Sequence, residues 1–308
     1  MNTFDQKYQT IATILMEYGG LVSPALIGAE WAQLSAYCAE VSATPPRTDA
    51  ERAVVESTLN DILTDSVFHP NYRAHYVNQA RELPHLEAFS HYIERATFQY
   101  YKHDFLGCVL CLIPAVEGTL RSYCGWAMGT PDPTPQLIRG ALRNGQATRG
   151  KSRRDLYAES LASFHERWFW TKTTHADFRL SHLNRHYALH GLGKESFYRS
   201  TDCNRLFLFF ILFAELLMLE SNRRPHVFLP VEDPPVARRR EYYLKLIQEN
   251  PTKREMFTME EALLAEHKHY VADTNPPTQA KTFRQFLKAM APLLIDLAKM
   301  PDSGEEPK

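Results

Sequence analysis

A chain of 308 residues is long enough for one or two domains and a sizeable buried core. At 44% hydrophobic and 23% charged it cannot be a disordered or low-complexity chain. The net charge of −1 gives no global pull toward a polyanion, so a nucleic-acid partner must be met by a local basic patch.

Five cysteines, an odd count, argue against a disulfide scaffold and for a reducing, cytoplasmic setting. Cys108 and Cys111 form a CxxC inside the apolar run LGCVLCLIP, with no second pair nearby, and are expected to be core thiols rather than zinc or redox ligands. The start, MNTFDQKYQT, has no basic n-region followed by an apolar stretch. The most apolar segment, Leu206 to Leu219, is broken by Glu215 and is shorter than the ~20 residues of a bilayer span. It is expected to be an enclosed helix, with Glu215 either paired inside the bundle or turned to a dimer seam, and no membrane partner is expected.

In chain order, helical spacing covers residues 4–17 and 24–42, the second opened by Ser23-Pro24. ATPPR, Ala43 to Arg47, breaks the chain, and Thr48 or Asp49 caps a helix over 50–65. His69 to Tyr76 reads as loop. A long helical region follows from Leu83 to Trp126, with a break at Lys102–Asp104 and a candidate kink at Pro114. GTPDPTP ends it at Pro135.

Next come Arg139, Arg143, Arg149, Lys151, Arg153 and Arg154, with no acid among them before Asp155. Such a run either tracks an RNA backbone or is a solvated, glycine-rich loop. The spacing predicts an aromatic-rich helix over 155–173, whose Phe164, Trp168, Phe169 and Trp170 belong to a core or a dimer interface. His165 and His175 are expected at the surface or the core edge. A short helix ending at Gly191 and the apolar helix capped within Ser200–Asp202 complete the central part.

Strand signatures are almost absent, so the fold class is all-α. The expected organisation is an N-terminal helical region over 1–80, a bundle over 81–221, a linker over 222–236, a C-terminal helical region over 237–300 and a disordered tail over 301–308. Within the C-terminal region helical patterns fall near 237–249, 258–268 and 280–299.

The segment Asn184-Arg185-His186-Tyr187-Ala188-Leu189-His190-Gly191 carries the chemistry. Arginine, four residues, then histidine just before a glycine stop resembles the R-x4-H motif of the HEPN superfamily. The segment LIPAVEGTLR, Leu112 to Arg121, resembles the helix that presents an acid to that motif, with Glu117 as the acid. The resemblance spans roughly residues 85–220. It implies a helical bundle that dimerises so that two motifs form one composite site. It also implies a metal-independent endoribonuclease whose products end in a 2′,3′-cyclic phosphate and a 5′-OH, with a role as a toxin or phage-defence effector beside an antitoxin or sensor partner. No cofactor is implied.

The residue types suit those roles. Arg185 brings a planar, permanent cation that holds two phosphate oxygens. His190 titrates near neutrality and so serves as general acid or base. Positions five apart on a helix lie about 140° from one another, so Arg185 and His190 converge only at a helix end or across a dimer. The family pattern has Asn after the arginine; here His186 stands there and Asn184 precedes it. Either imidazole, His186 or His190, is therefore open to the proton-transfer role, with Asn184 assisting. Glu117 either orients Arg185 or a histidine tautomer, or forms an ordinary i,i+4 pair with Arg121.

Two other readings compete. One is a non-catalytic helical interaction module with the same fold. The other is a metal-binding protein built on His182, His186 and His190, disfavoured because zinc needs a third or fourth ligand from elsewhere and the HxxxH lacks the Glu of the metallopeptidase helix.

Overall fold

The computed structural model describes residues 3–23, 29–67, 69–145, 151–170, 183, 199–221 and 234–249. Of these residues 80% are helical and none lies in a strand, so the chain is all-α. It divides into two compact units, Met1–Gln248 and Glu249–Lys308. Apart from Glu249, the described residues all belong to the first. The expected helices near 258–268 and 280–299, the tail and most of the 222–236 linker lie outside the described residues.

The helices are α1 (Thr3–Glu17), α2 (Ala29–Ala43), α3 (Asp49–Val67), α4 (Pro70–Ala80), α5 (Ser90–Tyr101), α6 (Phe105–Tyr123), α7 (Pro135–Asn144), α8 (Lys151–Phe164) and α9 (Ser200–Glu220). A tenth, α10, covers 234–249. The α3 terminus is a reciprocal capping box: Glu51 N–H donates to Thr48 Oγ1 at 3.2 Å, and Thr48 N–H donates to the Glu51 carboxylate at 3.1 Å. At the α5–α6 break, His103 takes a positive φ of 62°, and Asp104 accepts from Gly107 N–H at 2.8 Å to start α6. That helix runs on through Pro114 without a break.

Two segments differ from the sequence expectation. His69 to Tyr76 is not loop: Pro70 occupies the first turn of α4, where its missing N–H costs nothing, and His69 Nδ1 accepts from Asn71 N–H at 3.3 Å. Residues after Pro135 are likewise helical. Thr134 caps α7 by accepting from Leu137 N–H at 3.3 Å, and Ile138 and Leu142 anchor it to the core.

α9 is the axis of the fold. Every residue from Asp202 to Met218 is buried, and the helix packs on α6, α8, α3 and α4. Each fully buried Leu or Phe along it contributes about 1.5–3 kcal/mol. α6 packs most extensively on α5. Among the described residues α6 is the one helix long and apolar enough to cross a bilayer, and 44% of its apolar window is buried inside the fold.

Polar groups tie the N-terminal helices to this axis. Arg205 donates to Asp202 at 3.1 Å and to the Tyr18 carbonyl at 2.8 Å, lies 3.5 Å from Glu56, and stacks 4.7 Å over the Trp168 ring. Gly19 passes beside it with φ 73°; a Cβ there would sit 2.8 Å from Arg205 Nε and 2.9 Å from Trp168. Burial raises the Asp202 pKa from its ordinary value, against the pull of Arg205.

Glu215 is paired inside the bundle: Ser23 Oγ lies 2.6 and 2.8 Å from its two oxygens, and burial raises its pKa to about 7. In a second, smaller cluster α10 packs Val236, Tyr243 and Leu246 with Ala74 and Tyr101, while Arg239 pairs with Glu94 at 2.7 Å.

Candidate functional site

The four motif residues expected to do chemistry, Asn184, Arg185, His186 and His190, lie outside the described residues, as do His175 and His182. Leu183, immediately before the motif, is described. It is 4% exposed and belongs to the main core, so the chain enters the motif from an apolar anchor.

Glu117 is half-buried on α6. It lines a cavity of about 180 Å³ together with Leu120, Arg121, Asp132, Pro133, Ile138, His165, Phe169 and Trp170. Arg121 Nη2 pairs with Asp132 at 3.0 Å across the loop that follows α6. The guanidinium also faces the Trp126 ring at 5.8 Å.

The far wall comes from the end of α8, where the helix widens into a π-turn over His165–Phe169. Its signature bond runs five residues back, from Trp170 N–H to the His165 carbonyl at 2.8 Å. The widened turn buries His165, Trp168 and Phe169. His165, expected at the surface or core edge, is 0% exposed and stacks on Trp170 at 5.4 Å. Phe164, His165, Trp168 and Phe169 form two adjacent i,i+4 rows, a face broad enough to carry the imidazole inward. Phe164, Trp168 and Phe169 are core residues, and Trp170 is half-buried at the cavity.

The basic run separates into three groups. Arg149 lies outside the described residues, and the side chains of Lys151 and Arg153, in the first turn of α8, also do. Arg139 pairs with Glu166 at 3.6 Å, and Arg143 makes a two-pronged contact with Glu159 at 2.8 and 3.0 Å. That contact lowers the Glu159 pKa and raises that of Arg143.

Arg154 is different. It is 1% exposed and donates to Glu220 at 2.9 Å, to the Arg143 carbonyl at 2.9 Å and to the Leu142 carbonyl. Tyr123 completes this knot by donating to Glu220 at 2.7 Å. A guanidinium so enclosed is a strut between α7, α8 and α9, and not a surface contact for RNA. The acids that neutralise these arginines come from α8, its π-turn and α9, beyond the run itself.

Among the described residues no group of three or more His, Cys, Asp or Glu side chains is arranged to hold a metal ion. Cys108 and Cys203 are buried free thiols, and Cys111 is half-buried and free. Burial raises the pKa of Cys111 and Cys203, which keeps both protonated and poorly nucleophilic.

Comparison with family models, curated proteins and solved structures returned no match to this chain.

Proposed function

We propose that the chain is a HEPN-type, metal-independent endoribonuclease that acts on single-stranded RNA as a homodimer. The observation that carries this reading is Glu117. It is half-buried on α6 and lines a cavity walled by the aromatic π-turn, whose chain continues to the buried Leu183 and then the R-x4-H segment.

In this reading one imidazole, His190 or His186, takes the proton of the ribose 2′-OH. The 2′-oxygen attacks the adjacent phosphorus, the bond from phosphorus to the 5′-oxygen breaks, and that oxygen receives a proton from the opposing acid. Arg185 offsets charge on the phosphorane, with Asn184 assisting, and Glu117 fixes the orientation of the arginine or a histidine tautomer. Arg139 and Arg143 retain partial exposure for a strand that displaces their carboxylates.

The experiment is cleavage of labelled single-stranded RNA in EDTA by the parent, Arg185→Ala and His190→Ala. Cyclic-phosphate ends from the parent, absent from both variants, are expected. A folded, dimeric parent that leaves RNA intact refutes the reading. The pairing of every described arginine of the basic run favours the rival, a non-catalytic interaction module, to which that result would shift the reading.

A further inference from the structure

The cavity beside Glu117 has a built floor and an open rim. His165 and Phe169 are 0% and 1% exposed at its base, whereas the Asp132 side chain is 61% exposed and that of Arg121 33%. At about 180 Å³ it falls well below the roughly 300–1,000 Å³ of pockets that enclose drug-sized ligands, so it suits one ring system. Trp170, half-buried at its edge, supplies an aromatic surface of the kind on which unpaired bases stack.

The polar lining is rich in acceptors. Two carboxylates, Glu117 and Asp132, accompany one guanidinium, Arg121, and the buried His165 imidazole at the base, and the Asp132–Arg121 pair sets acceptor oxygens beside N–H donors. A base that complements this order must present adjacent donors next to an acceptor. Guanine does so, with N1–H and N2–H2 beside O6. Adenine and cytosine offer one donor group beside a ring-nitrogen acceptor, and uracil offers one donor between two acceptors. Lone pairs of the carboxylate would face acceptors in each of those three.

We infer that this cavity is a guanine subsite, with Asp132 accepting from N1–H and N2–H, Arg121 donating to O6, and Trp170 stacking on the base. The inference rests on the ribonuclease reading for its polymer and not for its base.

The test is calorimetric binding of the four nucleoside 3′-monophosphates to the full chain, parent and Asp132→Asn. The guanosine form should bind the parent at least about tenfold more tightly than the other three. In Asp132→Asn, which alters an exposed side chain, that advantage should vanish while the melting temperature stays put. Equal binding of all four, binding of none, or a guanosine preference that survives Asp132→Asn overturns the subsite. A parent that prefers the guanosine form yet leaves RNA intact upholds the subsite and refutes the ribonuclease. Cleavage in EDTA with no guanosine preference does the reverse.

Discussion

Replacing Glu215 by glutamine should make the protein more stable, and more so at high pH. The carboxyl lies in the core with Ser23 on its two oxygens and Tyr157 as a further hydrogen-bond partner. Burial raises its pKa from 4.5 to about 7. The folded state therefore holds the proton longer than the unfolded chain. Its contribution is fully present below pH 4.5 and is lost as the pH rises toward 7. Taken at about 1.36 kcal/mol for each tenfold change, keeping a charged Glu215 in the core costs about 3 kcal/mol at pH 8.5. Glutamine keeps the shape and accepts the Ser23 hydroxyl without ionising. In denaturant titrations Glu215→Gln should gain about 2 to 3 kcal/mol more over the parent at pH 8.5 than at pH 5. Parallel stability–pH curves for the two proteins would refute the reasoning, because other titrating groups cancel in the comparison.

Arg154→Met strands Glu220, Tyr123 and two carbonyls. It should cost about 3–5 kcal/mol in urea titrations, with Arg154→Lys intermediate; a loss under 1 kcal/mol would show the knot to be dispensable. Gly19→Ala meets both a positive φ and a crowded Cβ position. It should cost about 1–3 kcal/mol by the same measurement, and a neutral result would mean that Arg205 and Trp168 move aside. In the ribonuclease assay, loss of cleavage in Arg185→Ala should accompany an unchanged melting temperature, which separates lost chemistry from lost folding.

The all-α class was legible because strand signatures are almost absent and α1, α3 and α9 carry local instructions: apolar spacing, a cap at Thr48 or Asp49, and an apolar run broken by one acid. Proline misled where its place in a helix mattered more than its presence. The break at GTPDPTP is real, but Pro135 also opens α7, and Pro70, in a segment read as loop, opens α4; each stands in a first turn where φ is already suitable.

The candidate site was less legible than the fold class. Glu117 was singled out by the resemblance of LIPAVEGTLR to the acid-bearing helix, and nothing in the sequence showed the cavity it lines. That cavity depends on a π-turn one residue out of register and on Asp132 meeting Arg121 from a loop. The basic run misled for a related reason. Its acids, Glu159, Glu166 and Glu220, are brought in by tertiary packing, and a linear charge count sees only Asp155. For Arg154 the error was one of place: a charge taken for surface lies at 1% exposure.

The enclosure of α9 also bears on the order in which the protein can be made. α3, α4, α6 and α8 all lay apolar surface on this helix, yet it begins only at Ser200. During synthesis α5 can pack on α6 and α7 on α8, but the faces that α3, α4, α6 and α8 turn to α9 stay uncovered until it follows. Local helices can form as they leave the ribosome, but the all-or-none packing step must wait until residue 220 has cleared the exit tunnel. Until then the apolar surface meant for α9 is exposed, so the length of that exposure is tied to translation as well as to folding.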